Sequence, residues 1–419
     1  MTTSELDTPI PTTDSAGGRT PEAAADLSAR FRPIFAHIAK GAASRDRDRE
    51  LAHSEIAALK AEKFGAVRLP EALGGAGASV RQLFDLLIDL SAADSNVTQA
   101  LRAHFFVAEG YILSGDARGL ERVAAGEIIG NAISEKGAGS VERYQTTLSR
   151  DDDRYLLNGT KFYSTGSLYA DAIAVAADLD GERVYATVDT DAPGLTQFDD
   201  WDGFGQRLTG SGTSVYENVH VAAADVAPNG YGTQGRTASS AYLQLFHLAA
   251  LAGILRRAAD DVRGWVAGRT RTYSHAPADL PREDPLVQAV LGRAYSAAFV
   301  ARATVLSVAD ALDSVLETPE TAENPELLDK AELAAAEVQV ALIPLVLGAI
   351  TDLFDVGGAS LSSESLGLDR HWRNARTLAV HNPVVYKEQA VGRFELTADG
   401  LPYEWNAGVR GKAAETYRN

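Results

Sequence analysis

The sequence predicts an α+β protein that is mainly α: a helical N-terminal domain, a small β domain and a C-terminal helical bundle. Apolar residues recur at helical spacing before about residue 120 and again after about residue 236. Between them lie short β-type runs separated by turn residues, the pattern of a small barrel or sandwich. A chain of 419 residues is long enough for two or three domains with sizeable cores.

The first helix is expected at Thr20-Pro21-Glu22, a capping hydroxyl followed by proline at the first helical position. Leu27, Phe31, Ile34, Phe35 and Ile38 form its apolar face, and Gly41 is the expected stop. A charged helix follows from about Arg47 with Leu51, Ile56 and Leu59 inward. The glycines of Gly74-Gly75-Ala76-Gly77 mark a loop. Val80, Leu83, Leu87 and Leu90 define the next helix, and Val97, Leu101, His104, Ala108 and Ile112 another. The β domain is expected over residues 121–235. Its strands are Ile128–Ile133, Gln145–Leu148, a hairpin about Asn158-Gly159, Ala172–Ala177, Arg183–Asp189 and Ser214–Val221. Asn-Gly tolerates the two positive φ values of a type I′ turn, so it predicts the hairpin connection. Ala241–Ala267, Pro285–Leu316 and Pro325–Val356 are long apolar-periodic segments that read as an antiparallel bundle over 236–399. Leu333–Ile350 is apolar nearly all round and is expected to be buried on several sides, for instance against neighbouring subunits. Residues 1–19 and 400–419 are expected to be polar tails, the first without the apolar core of a signal peptide.

A net charge of −18 argues against nucleic acid or an anionic membrane as partner. There is no Cys, which excludes disulfides, thiolate catalysis and a Cys-based metal site. No metal site is expected. No apolar run approaches the ~18 residues of a membrane span, and a soluble cytoplasmic protein is the expectation. No spaced glycine triplet follows a strand, so no NAD(P)H site is evident.

Several stretches carry a resemblance. Lys161-Phe-Tyr-Ser-Thr-Gly166 with Ala170-Asp-Ala-Ile173 resembles the flavin-side strand of the acyl-CoA dehydrogenase superfamily. Residues 195–221, which include Asp-Asp-Trp-Asp-Gly-Phe-Gly-Gln-Arg and Gly-Ser-Gly-Thr-Ser, are similar to a particular branch of it. So are residues 369–387, DRHWRNARTLAVHNPVVYK. That branch comprises the two-component flavin monooxygenases of the dibenzothiophene and sulfone-desulfurising type, and the likeness spans roughly residues 25–400. It implies the acyl-CoA dehydrogenase fold, with a four-helix C-terminal bundle and a homotetramer. It implies reduced FMN as cofactor, with FAD the alternative, supplied by a separate NAD(P)H:flavin reductase. It further implies that O2 forms a C4a-(hydro)peroxyflavin, which passes one oxygen to a sulfur or nitrogen centre of a small organic substrate.

Residue by residue, the resemblance implies flavin contacts at Asn131, Ser134 and Ser140 in the first flavin loop, and at Thr165 with Ser164 as its neighbour. Trp201, whose indole suits stacking on a planar ring, and Ser211 belong to the same set. For the phosphate it implies a basic residue at Arg269 or Arg271, reaching a neighbouring subunit. The basic cluster Arg370, Arg373, Asn374 and Arg376 stands out in an acidic chain and suits the same role. His104 sits on an apolar helix face and reads as a core histidine, whereas the resemblance implies a substrate-side role.

The dehydrogenase reaction needs a carboxylate base. Thr377–Pro383 contains none, nor does Tyr242–Phe246, the two places where the superfamily carries it. His381 stands there instead, a group that exchanges protons near neutral pH. In the relatives another histidine precedes it by three residues; here that position is Leu378, expected to line the substrate pocket. Two alternatives stay open: an acyl-CoA dehydrogenase with a relocated base, and a flavin-binding scaffold without catalysis.

Overall fold

The computed structural model describes residues 21–136, 144–228 and 235–403. Residues 1–19 and 404–419 of the expected tails, and Ser140 of the first flavin loop, lie outside the described residues. Helix α1 (Pro21–Asp48) starts at the expected proline but runs through Gly41, the expected stop. The reason is Arg45, whose guanidinium occupies the space a side chain at Gly41 would need. That guanidinium turns inward to the Ile38 carbonyl at 2.7 Å, Glu55 at 2.7 Å and Asp94 at 2.9 Å. A buried charge needs such partners.

Helices α2 (His53–Ala61), α3 (Val80–Ala100), α4 (Arg102–Ser114) and α5 (Ala117–Ala125) complete the first helical region. It therefore extends past residue 120. Ser79 and Gln82 start α3 with reciprocal side chain–backbone bonds. Asp94, with φ −158° and ψ 111°, breaks α3 near its end. Its carboxylate caps the new start by accepting from the Asn96 N–H at 3.0 Å. The break presents Ser95 and Asn96 to the β domain.

Strands β1 (Ile129–Ala132), β2 (Thr147–Asp151), β3 (Arg154–Lys161), β4 (Ala172–Leu179), β5 (Glu182–Asp189), β6 (Leu195–Gln197), β7 (Ser214–Ala222) and β8 (Val226–Ala227) form one mixed sheet among the described residues. Its order is β6-β7-β3-β2-β4-β5-β8, with β1 parallel to β4. The Asn158-Gly159 hairpin is not there. Strand β3 runs straight through it, and the turn that joins β2 to β3 lies at Asp152-Asp153, with Asp152 at φ +55°. Asn-Gly serves a bulge instead. The β3–β7 register slips between Leu157 and Gly159, opposite Asn218 at φ +52°. Asn158 Oδ1 accepts from the Asn218 N–H at 2.8 Å, and a Cβ at Gly159 would lie 2.6 Å from Thr146 Cα.

The bundle comprises α6 (Ser239–Gly268), α7 (Pro285–Val315), the short α8 (Pro319–Ala322), α9 (Pro325–Asp352), α10 (Asp369–Ala379) and α11 (Val384–Thr397). Helix α6 is its axis and packs on α3, α7, α9 and α10. Its near-continuous apolar run is buried through Leu255, so the first helical region and the bundle share one core. Pro325–Val356 is long and apolar enough to cross a membrane by length and composition, which corrects the expectation that no such stretch exists. Two of its buried polar groups nonetheless face bundle partners: Glu332 holds Lys387 of α11, and Gln339 holds the Asn382 carbonyl. One side of α9 is uncovered in the single chain. There Val300, Val338, Ala341, Leu342 and Leu345 line an apolar groove of about 200 Å³, beside an exposed Phe299.

Candidate active site

Four segments meet where the sheet abuts the helices. The first is β1, which carries Asn131. The second is the loop Ser164-Thr165-Gly166 after β3, and the third is Thr209-Gly210-Ser211 before β7. Backbone bonds tie them: Asn131 N–H donates to the Thr165 carbonyl at 3.4 Å, Gly166 N–H to Thr209 at 3.0 Å, and Ser164 N–H to Gly212 at 3.0 Å. Gly166 has φ +79° and lies against the Ala100 carbonyl, so a side chain there would collide with the end of α3. The fourth segment is α10, tied in where the Gln206 N–H donates to Asn374 Oδ1 at 2.6 Å. Asn96 of the α3 break accepts from the Leu208 N–H at 3.2 Å.

Side chains line up accordingly. The hydroxyls of Thr209, Ser211 and Thr165 form a chain at 2.7 Å and 2.9 Å. Asn131 Oδ1 is shielded from solvent and has no hydrogen-bond partner among the described residues. An orphaned acceptor costs about 1–3 kcal/mol, a cost removed when a ligand N–H fills it. Asn131, Thr165 and Ser211 therefore fit the polar edge of a flat heterocycle. Trp201 stands beside them, its indole N–H donating to the Gly205 carbonyl at 3.2 Å and its ring edge-to-face with Tyr163 at 5.7 Å. Tyr163 was not singled out in the sequence. It is half-exposed, has φ +59° and carries Lys136 Nζ 5.0 Å from its ring centre. A bulky residue held at positive φ marks local strain of the kind found at functional sites.

Other expected residues are placed differently. Ser164 is fully buried, and its hydroxyl, like Asn131 Oδ1, has no hydrogen-bond partner among the described residues. Ser134 lends its backbone carbonyl to the Phe162 N–H at 2.9 Å. Arg370 is committed elsewhere: it donates to Asp261 at 2.7 Å and to the Gly367 carbonyl at 2.7 Å. With Asn374, Asp46, Asp94 and His371 it lines a cavity of about 20 Å³, room for one water and not for a phosphate. Its carboxylate partner Asp261 is held well below the usual range by His371, Arg370 and Arg257, against the desolvation that opposes this. Arg373 pairs with Asp46 at 2.6 Å and Asp369 at 2.7 Å. Arg269 lies over the Trp265 ring, while Arg271 is exposed on the loop after α6.

The histidines divide sharply. His104 is fully buried and both ring nitrogens are used: Nδ1 accepts from the Ile129 N–H at 3.2 Å and Nε2 meets the Gly65 carbonyl at 2.9 Å. That fixes a neutral Nε2–H tautomer, and burial pushes its pKa down to about 4. His104 is thereby a joint between α4 and β1, which supports Asn131 from behind. Leu378 is 5% exposed and packs within the main helical core. Helix α10 ends at Ala379, so Leu378 and His381 do not share a helix face. His381 lies just past that end and keeps access to solvent. Burial and the Arg102 guanidinium push its pKa down, and the contact with the Asn382 side chain at 3.3 Å opposes this.

Sequence reasoning also missed His247, whose ring centre lies 4.2 Å from that of His381. It hides in the apolar stretch Leu245-Phe-His-Leu-Ala-Ala250, and the only signal was a lone imidazole in that run. Potential carboxylate bases are occupied: Glu109 by Arg68 at 2.6 Å, Asp94 by Arg45 and Glu332 by Lys387 at 2.8 Å.

Comparison with known proteins identifies the family. Residues 130–219 match the family model "Acyl-CoA dehydrogenase, middle domain" and 245–386 match "Acyl-CoA dehydrogenase, C-terminal domain", together over half of the chain. The chain belongs to the acyl-CoA dehydrogenase superfamily, on its flavin-dependent monooxygenase branch. It is similar to dibenzothiophene monooxygenase of Rhodococcus qingshengii, 27% identical over 374 residues, 85% of this chain and 89% of that one. It is also similar to the probable FMNH2-dependent monooxygenase SfnC of Pseudomonas putida, 26% identical over 375 residues, 87% of this chain and 93% of that one. Among solved structures, TdsC of Paenibacillus sp. A11-2 with FMN and indole superposes with a TM-score of 0.83 at 25% identity, covering 91% of this chain and 98% of that one.

Proposed function

We propose that the protein is a reduced-FMN-dependent monooxygenase that transfers one oxygen atom from O2 to a sulfur or nitrogen centre of a small organic substrate. The observation that carries this reading is the convergence of Asn131, with its orphaned acceptor, on the Thr165–Ser211 hydroxyl pair. When bound there, the flavin supplies the activation of dioxygen. The chain's own residues do the rest. Asn131, Thr165 and Ser211 hold the polar edge of the ring, and Trp201 and Tyr163 flank the entrance. His381 holds or delivers a proton at its ring nitrogens, and the surrounding core excludes bulk water. The paired state of Glu109, Asp94 and Glu332 speaks against α-proton abstraction, which needs a free carboxylate.

The reading includes a soluble enzyme, a separate NAD(P)H:flavin reductase, and a homotetramer. The uncovered α7–α9 groove with Phe299 supports assembly through the bundle. Arg271, exposed at the end of α6, is then available to a neighbouring subunit's phosphate site. The test is oxygen consumption with chemically reduced FMN across thioethers, sulfones, amines and acyl-CoAs. Turnover confined to acyl-CoA would restore the dehydrogenase reading, and rapid flavin reduction by NAD(P)H with the protein alone would remove the reductase.

A further inference from the structure

Gln206 is held in a backbone conformation that a side chain disfavours. Its φ is +51° and it is 3% exposed, in the loop between Trp201 and Thr209-Gly210-Ser211. A residue other than glycine stays in that region only where its surroundings over-determine it. Here three neighbours do so. The Gln206 N–H donates to Asn374 Oδ1 at 2.6 Å, its side-chain amide donates to Ser95 Oγ at 3.0 Å, and its carbonyl accepts from Thr209 Oγ1 at 3.1 Å. The Thr209 hydroxyl then meets Ser211 at 2.7 Å, and Ser211 meets Thr165 at 2.9 Å. A continuous run of hydrogen bonds thus leads from Asn374 through Gln206 to the Thr165–Ser211 hydroxyl pair.

Asn374 is firmly anchored at the other end of this run. It is 5% exposed, and the backbone donor it meets identifies the contacting amide atom as oxygen. Its helix, α10, is bound to α6 where Arg370 and His371 both meet Asp261 Oδ2, at 2.7 Å and 2.9 Å. The preceding residue, Arg373, donates to the Phe204 carbonyl of the same loop at 2.9 Å. We propose that Asn374 is a positioning residue for the flavin ring rather than a ligand of its phosphate: it holds Gln206 at positive φ and so sets where the Ser211 and Thr165 hydroxyls stand. This rests on the flavin-binding part of the reading above. The two roles make opposite demands on residue 374. Positioning needs only an acceptor for the Gln206 N–H, which a carboxylate also supplies. A carboxylate beside a phosphate would repel it. Loss of a positioning residue weakens any flavin, whereas loss of a phosphate ligand weakens only a phosphorylated one.

The test is fluorescence titration with FMN and with riboflavin, which has the same ring and no phosphate. The proteins are wild type, Asn374→Leu, Asn374→Asp and Thr209→Val. Asn374→Leu is expected to weaken both flavins by the same factor, about tenfold, and Asn374→Asp to bind FMN within about twofold of wild type. Thr209→Val cuts the same run on the other side of Gln206. It weakens both flavins as well, and in the double variant with Asn374→Leu the two losses do not add. Strong loss of FMN binding in folded Asn374→Asp, a loss in Asn374→Leu that spares riboflavin, or fully additive losses in the double variant each overturn the proposal. Should Asn374→Leu fail to fold, Asn374→Asp and Thr209→Val decide it. Should wild type bind FMN and not riboflavin, the Asn374→Asp result with FMN decides it. A wild-type protein that binds neither flavin overturns the flavin reading itself.

Discussion

Lys387 of α11 and Glu332 of α9 meet at 2.8 Å with their side chains each 1% exposed. Ser240 of α6 donates to the same carboxylate at 3.1 Å, so three helices are joined at one buried charge. Burial pushes the Glu332 pKa up, and the Lys387 charge and these hydrogen bonds oppose it.

Lys387→Met is therefore expected to destabilise the protein by about 3–5 kcal/mol, since it strands a buried carboxylate. The double variant Lys387→Met/Glu332→Leu should regain most of that loss, because neither charge is then buried. Urea unfolding of the single and double variants measures both. Equal losses in the two would show that packing, not charge, is what α11 contributes.

His104 sets an acid limit on stability. Its folded pKa, about 4, lies below the unfolded value of about 6.5, so folding favours the neutral ring. Its contribution is complete above pH 6.5 and is lost as pH falls from there toward 4. His371, also lowered to about 4, adds a similar slope. His104→Asn should flatten the decline between pH 7 and 4.5 by roughly 2 kcal/mol while lowering stability at pH 7. Urea midpoints at the two pH values give the slope, and parallel curves would clear His104 of this role.

Much of this fold was legible because burial imposes periodicity. The Ala241–Ala267, Pro285–Leu316 and Pro325–Val356 segments match α6, α7 and α9 to within a few residues. Misreadings came where a residue serves a distant partner. Gly41 looks like a stop but makes room for Arg45, and Asn158-Gly159 looks like a turn but accommodates a bulge against Asn218. The site was half legible. Asn131, Thr165 and Ser211 lie in local motifs and do converge. Arg370 and His247 depend on long-range packing, on Asp261 and His381, which no local pattern reveals.

Asn131→Ala and Thr165→Val should each weaken binding of FMN by about threefold to tenfold and leave the unfolding transition unchanged. Each removes one hydrogen-bonding group, about 0.5–1.5 kcal/mol net. Fluorescence titration with FMN measures the affinity. Unaltered affinity in both variants would move the ring away from the β1 and Thr165 loops.

His381→Ala and Leu378→His separate chemistry from packing. Their backbones are linked, His381 N–H donating to the Leu378 carbonyl at 3.2 Å, yet their side chains live in different surroundings. His381 reaches solvent beside His247, whereas Leu378 is 5% exposed within the apolar core of the bundle. Removing the His381 ring takes away a proton carrier without opening the core. His381→Ala should therefore keep its FMN affinity and unfolding midpoint, lose product formation, and release the consumed oxygen as hydrogen peroxide. A histidine at Leu378 would instead bury a polar ring among aliphatic side chains. Leu378→His is expected to cost about 2–4 kcal/mol of stability, rather than to retune substrate choice. Product and peroxide yields with reduced FMN, set beside urea unfolding of both variants, read the two effects separately. A stable Leu378→His enzyme with altered substrate preference would return that position to the pocket. Full coupled turnover in His381→Ala would take its imidazole out of the reaction.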